Sequence, residues 1–188
     1  KTSSNLHLSY PCLFEYKKNN YVIPEAAQSN GITVYKKNED DSITPVTTVV
    51  DNFAGVDPTI FEDNGMWYIF ATDGSVGSNS FLYIFYAKDP LSNWSQHELN
   101  PVKINIHNSR GGGEIFKEGD SIIRPTQNCY PSYGTSLLFN KIEVLNPYEF
   151  KETLIGEIKT SGKSAYKGIH TFSRNKNSFI VDLKTNEF

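Results

Sequence analysis

Residues 9–25, SYPCLFEYKKNNYVIPE, align without a gap to residues 56–72, VDPTIFEDNGMWYIFAT. Pro11 matches Pro58, Phe14 matches Phe61, Glu15 matches Glu62 and Tyr21 matches Tyr68. Two weaker copies follow. GGGEIFKEGDSIIRPTQ puts Phe116 in the same place, and GIHTFSRNKNSFIVD puts Phe172 there. The steps between these phenylalanines are 47, 55 and 56 residues, the length of a four-stranded blade with its loops.

Each copy repeats one local pattern. A short apolar strand ends near a charged residue and turn formers follow: Lys18-Asn19-Asn20, Asp63-Asn64-Gly65, Glu118-Gly119-Asp120 and Asn175-Lys176-Asn177. A second strand then runs back. Asn-Gly between alternating apolar runs is a strong hairpin signal, because the turn needs residues that tolerate positive φ. Third strands are expected at Ile32–Tyr35, Phe81–Tyr86 and Ser136–Phe139. No long amphipathic helix is legible. A β-sandwich is the plain alternative, but regular copies near this length favour radial repetition. The expected fold is therefore an all-β propeller forming a single domain over residues 1–188, with blades starting near 9, 56, 111 and 168. Three full copies and one opening hairpin make about three and a half blades, so an upstream blade is expected before Lys1.

Composition narrows the function. Basic residues number 18 against 21 acidic ones, and the basic residues are scattered, which disfavours nucleic acid or an anionic membrane held by bulk charge. No apolar run approaches the ~20 residues of a membrane span. Tyr and Phe are abundant, at 11 and 12. Most must pack the sheets, yet such rings also stack on sugars. Cys12 and Cys129 read as buried free thiols, a pattern that suits the cytoplasm. Asn93-Trp94-Ser95 is a glycosylation triplet of a kind that arises often by chance. Isolated cysteines and scattered histidines give no zinc pattern, and nothing calls for a cofactor.

In a propeller the first strand of each blade lines the channel, and the antiparallel second strand returns to the same rim. Strand starts then place Tyr10, Asp57, Arg110 and His170 at one mouth, and strand ends place Glu25, Thr72, Arg124, Gln127 and Asp182 there. Tyr10 becomes Asp57 and then Gly112 between copies whose neighbours match, which marks positions freed from packing. Every candidate has a plainer reading. Asp57 before Pro58 also suits a strand-opening cap, Glu25 a solvated rim charge, and His170 a hydrogen-bonded structural histidine. Arg110 with three glycines reads as close backbone approach, and not as a phosphate loop, since the Lys-Ser/Thr that should follow is absent. Glu114 shares strand parity with the pocket positions. Arg124-Pro125-Thr126-Gln127 is an unusual polar cluster after Ile122-Ile123. Carboxylates with arginine, histidine and aromatics around a funnel suit hydroxyl-rich, partly anionic ligands.

Five motifs in order, SYPCLFEY…YVIPE, VDPTIFEDNGMWYIFAT, FYAKDPLSNWSQHELNPV, RPTQNCYPSYGTSLLFNKI and GIHTFS, resemble the N-terminal propeller domain of plant glucosamine inositolphosphorylceramide transferases. They also resemble its bacterial relatives in surface-polysaccharide pathways, some joined to formyltransferase domains. The resemblance runs from about Leu8 to Asp182. More widely the chain is similar to the five-bladed arabinanases, invertases and levansucrases, which use carboxylates at the channel mouth as general acid and as base or nucleophile. The resemblance implies a five-bladed propeller and a sugar or glycan ligand, with a fused or associated transferase domain. Asp57 is similar by position to one aspartate of the glycosidase set. Arg110 and glycines stand where the next-blade glutamate is expected, and the first-blade aspartate would precede Lys1.

Three functions from different classes follow. The first is carbohydrate recognition within a glycan-assembly protein, with Asp57, Glu25, Arg110, Arg124, Gln127 and His170 as polar contacts and Tyr10 and Tyr133 stacking. The second is glycoside hydrolysis or transfer, with Asp57 and Glu25 or Glu114 as the carboxylates. A structural interaction module without a ligand is the third expectation.

Overall fold

A computed structural model describes residues 6–161, 165–175 and 177–185; Lys176, in the fourth hairpin tip, lies outside them. Three sheets and a hairpin follow one another along the chain. The first blade is β1 (Ser9–Tyr16), β2 (Asn19–Glu25), β3 (Gly31–Lys37) and β4 (Ile43–Asp51), paired in that order. The second is β5 (Gly55–Asp63), β6 (Met66–Asp73) and β7 (Phe81–Ala87), with β7 also pairing the short β8 (Ser95–Gln96) and β9 (Lys103–Ile104). The third is β10 (Phe116–Glu118), β11 (Ser121–Asn128), β12 (Ser136–Leu145) and β13 (Phe150–Lys159). The hairpin of a fourth is β14 (Tyr166–Arg174) with β15 (Phe179–Thr185). Among the described residues the only helical turn is Ala27–Ser29.

The repeat seen in the sequence is a repeat of backbone shape as well. Tyr10 and Asp57, matched in the alignment, have φ of 45° and 48°, a region that non-glycine residues seldom occupy. Each sits inside a register shift of its hairpin, between Ser9 and Cys12 and between Val56 and Thr59. The extra residue bends the inner strand and re-aims one side chain toward the channel. The third copy turns one residue later, with glycine: Gly113, next to the matched Gly112, has φ of 135°. Its first regular strand begins only at Phe116, and before it Gly111 and Gly113 join Thr126 and Phe172 through single bridges. A Cβ on Gly113 would lie 2.0 Å from the Phe172 carbonyl oxygen, so only glycine lets the third and fourth inner strands meet.

In the first three copies the repeated phenylalanine reaches the next blade, and in the last hairpin Phe172 packs back on the third. Phe14 sits 5.4 Å from Trp67 and packs on the core between the first two blades, which Ile23, Val34, Ile69 and Phe85 anchor. Phe61 packs on the core between the second and third, around Phe70, Leu82, Ile84 and Ile142. Phe116 meets Phe172 at 5.9 Å. Fully burying a side chain such as Ile23, Ile69, Phe85 or Leu82 stabilises by about 1.5–3 kcal/mol and the half-buried phenylalanines add less, so the blades are held mainly by these shared layers.

Candidate functional site

The inner strands and their flanking loops close around one central cavity of about 590 Å³. Tyr10 and Glu25 of the first blade line it, with Asp57 of the second. The third blade supplies Arg110, Gly113, Glu114, Gln127 and Tyr133, and the last hairpin supplies His170 and Asp182. Antiparallel pairing explains the arrangement: Ser9 stands opposite Glu25, and Val56 opposite Thr72, so strand starts and ends share one rim.

Asp57 is at the centre of the polar network. Its carboxylate accepts from Arg110 Nε at 2.7 Å and from Gln127 Nε2 at 2.9 Å, both on the same oxygen. Its backbone N–H donates to Glu25 Oε2 at 3.0 Å. Burial pushes the Asp57 carboxyl up to about 7, while Arg110 works against that shift and Glu25 adds to it. Arg110 also donates to Asn79 Oδ1 at 2.9 Å and lies 4.7 Å over the Tyr133 ring. Tyr133 in turn stands 5.2 Å from the His170 ring, and His170 Nδ1 is 3.0 Å from Asp182 Oδ2. Gly111 is needed beside this pair, because a Cβ there would come within 3.0 Å of both the Asp57 carbonyl oxygen and the Tyr10 hydroxyl.

Tyr10 joins three segments. Thr59 Oγ1 donates to the Asp57 carbonyl, so the single Tyr10 hydroxyl proton goes to Thr59 Oγ1, 3.1 Å away, and the Gly113 N–H donates to Tyr10 at 2.7 Å. Burial pushes this phenol well above its ordinary value, which keeps it a neutral hydroxyl. Glu114 is exposed, with no hydrogen bond or ion pair among the described residues, and desolvation by the cavity wall raises its carboxyl. Cys12 borders the cavity, and burial pushes its thiol up to about 12, so it is an unreactive wall residue.

Arg124 does not join the cavity. Residues three apart on a strand face opposite sides, so Gln127 turns inward and Arg124 turns toward the second blade. There Nε and Nη2 of Arg124 grip Glu152 at 2.8 and 2.6 Å. Its remaining donors hold the carbonyls of Ser109 and Asn108 at 3.2 and 2.7 Å, the two residues ahead of Arg110. Lys103 closes the group at 2.5 Å from Glu152. Burial acts to raise the Glu152 carboxyl, but Arg124 and Lys103 together overcome it and the net direction is down. Thr72 is likewise absent from the cavity wall and fully buried, donating to the Ser78 carbonyl at 2.6 Å.

A family model described as glucosamine inositolphosphorylceramide transferase 1, N-terminal, matches residues 2–185. The chain belongs to that family. Among its curated relatives, glucosamine inositolphosphorylceramide transferase 1 of Oryza sativa subsp. japonica is 30% identical over 171 residues, covering 87% of this chain and 23% of the relative. The protein of the same name from Arabidopsis thaliana is 28% identical over 191 residues, covering 97% and 24%. This member of the family thus spans about a quarter of the relatives it matches. The Bacteroides ovatus xyloglucan PUL GH43B structure superposes with a TM-score of 0.65 at 16% identity, covering 94% of this chain and 35% of that one. A Clostridium thermocellum α-L-arabinofuranosidase gives 0.64 at 10% identity, covering 98% and 65%. These are five-bladed propellers, and the family domain shares that all-β architecture in its three blades and hairpin.

Asn79 and the Glu152–Lys103 pair escaped the sequence reading of this family domain. Asn79 sits in the loop between β6 and β7, whose sequence does not match the corresponding loops between β2 and β3 or between β11 and β12. Glu152 lies on a fourth strand, beyond the aligned hairpins. Phe172 lines the cavity too, and for it a signal existed, since it is the repeat anchor of the last hairpin.

Proposed function

We propose that this domain recognises a carbohydrate in its central cavity and serves as the sugar-binding part of a glycan-assembly protein. One observation carries the reading: polar side chains from all four repeats converge with Tyr10, Tyr133 and Phe172 around one cavity of about 590 Å³. That size falls within the ~300–1,000 Å³ usual for small-molecule sites, and few other ligand classes match so mixed a lining of rings and hydrogen-bonding groups. The names of the relatives support association with a glycosyl-transfer activity carried elsewhere in the longer protein. Glu25 and Gln127 would contact hydroxyls, Tyr133 would stack on a sugar face, and Arg110 would fix Asp57 and the wall around it.

A second reading, glycoside hydrolysis or transfer, draws on the glycosidase superpositions and on three carboxylates, Asp57, Glu25 and Glu114, in one cavity. Against it, Arg110 and Gln127 both bind Asp57 Oδ2, so only the other oxygen of that carboxylate stands available to a nucleophile or base. Titration of the full-length protein against sugars, nucleotide sugars and polysaccharide fragments, with Asp57→Ala beside it, separates the readings. Saturable binding that the variant loses, without turnover, is expected. Turnover of any ligand would favour the enzyme, and silence across the panel would leave a structural module.

A further inference from the structure

The two chain segments that carry Arg110 and Tyr133 into the cavity wall repeat that pairing one step further out. Arg110 lies over the Tyr133 ring at 4.7 Å. Three residues earlier on each segment, the rings of His107 and Tyr130 stand 5.4 Å apart with their planes at 60°. Both outer rings are exposed, Tyr130 by 59%. Three residues of chain span at most about 11 Å, so the outer pair stands close to the inner one.

A lone exposed ring on a protein surface needs no account. This pair is held in place. Asn128 Oδ1 accepts the Tyr130 backbone N–H at 3.1 Å and lies 3.1 Å from His107 Nδ1. The Cys129 N–H donates to the Ile106 carbonyl at 3.1 Å, and the His107 N–H donates to Asn105 Oδ1 at 2.9 Å, which stitches the two segments together beside the rings. A backbone N–H can only donate, so the Asn128 atom it meets is the oxygen, and His107 Nδ1 must be the donor to it. In the neutral imidazole Nε2 is then an acceptor. Neither that nitrogen nor the Tyr130 hydroxyl has a hydrogen-bond partner among the described residues. Rings already fixed lose little freedom when a ligand lies on them.

The size and place of this platform decide what it takes. Two rings fall far short of the ~800 Å² that each partner buries in a stable protein contact. Their unmet groups are a hydroxyl and a ring nitrogen, which suit neutral hydroxyls. The platform also continues from the cavity, because Tyr133 lines the wall and is itself 37% exposed. Resting on the carbohydrate reading, we infer that the cavity takes the end of a saccharide of two or more units, and that Tyr130 with His107 is the surface on which the second ring lies. The first ring stays inside against Tyr133, and the chain leaves the mouth across the outer pair.

The test is calorimetric titration of the full-length protein with matched pairs of sugars: xylose and xylobiose, glucose and cellobiose, galactose and galactobiose, arabinose and arabinobiose. In a pair that binds, the disaccharide is expected to bind about tenfold tighter, the worth of one stacked ring. Tyr130→Ala should return it to the affinity of the monosaccharide, while monosaccharide binding and the thermal midpoint stay where they were. Tyr130→Phe, which keeps the ring, should keep most of the gain. No gain from the second unit, a gain that survives Tyr130→Ala, or an equal loss for both sugars overturns the inference while the sugar reading stands. Silence from every sugar overturns both.

Discussion

Arg110 and Arg124 come from the same blade and each ends on a carboxylate, yet the two pairs are built for different work. Arg124 is sealed, with its side chain 2% exposed and Glu152 at 1%, and a second cation, Lys103, shares the carboxylate. Arg110 keeps 14% of its side chain open and is the one arginine on Asp57, while it also donates to Asn79. Two cations hold Glu152 down as a fixed charge. One cation leaves Asp57 raised by burial and able to exchange a proton. A closed group that ties β11 and β13 of the third blade to Lys103 of the second can only hold these strands and the segment ahead of Arg110. An open pair at a cavity can respond to what enters.

The sharpest way to break this contrast is to remove each arginine. Arg124→Met leaves Glu152 buried with only Lys103 and should cost about 3–5 kcal/mol in chemical denaturation. Arg110→Met should cost only about 1–2 kcal/mol, because Asp57 can take up a proton instead, but should cost most of the ligand affinity. Equal losses would show that both pairs are structural.

A second measurement uses the opposite signs of the two carboxylates. Asp57 stands at about 7 when folded against an ordinary 3.8, so its stabilising effect is full below 3.8 and is lost as pH rises through 7. Glu152 is depressed, so its effect is present above its ordinary 4.5 and is lost as pH falls through its folded value. Asp57→Asn should therefore flatten the decline in stability between 3.8 and about 7 and leave the acid limb unchanged. If the variant and parent curves are parallel across that window, Asp57 is an ordinary ionised partner. The smallest effect is expected from Tyr133→Leu, which removes the ring under Arg110. Stability should fall by roughly 0.5–1 kcal/mol and sugar affinity by more.

How far the sequence carried depends on where a residue stood relative to the repeat. Phe14, Phe61, Phe116 and Phe172 announced the blades, since each packs across a boundary between repeats. Tyr10 and Asp57 stood out because that position differs between copies, and the structure adds why it is special: a positive φ inside a bulge aims it inward. Arg124 and Gln127 looked like one cluster in a linear string, whereas strand alternation sends them to opposite faces. The partners that decide each arginine's role, Asn79 and Glu152, lie in segments where the copies share no sequence pattern. Periodicity is legible because packing imposes it; ion pairing across blades imposes none.

The shared phenylalanine layer also sets an order in time. Phe14 waits for Trp67, Phe61 for the third blade, and Phe116 for Phe172. A chain leaving the ribosome therefore shows one bare aromatic anchor after each finished hairpin, and covers it only when the following repeat emerges. Synthesis that stalls between repeats exposes a single sticky ring at a defined place, the kind of surface on which a chaperone or a neighbouring nascent chain acts.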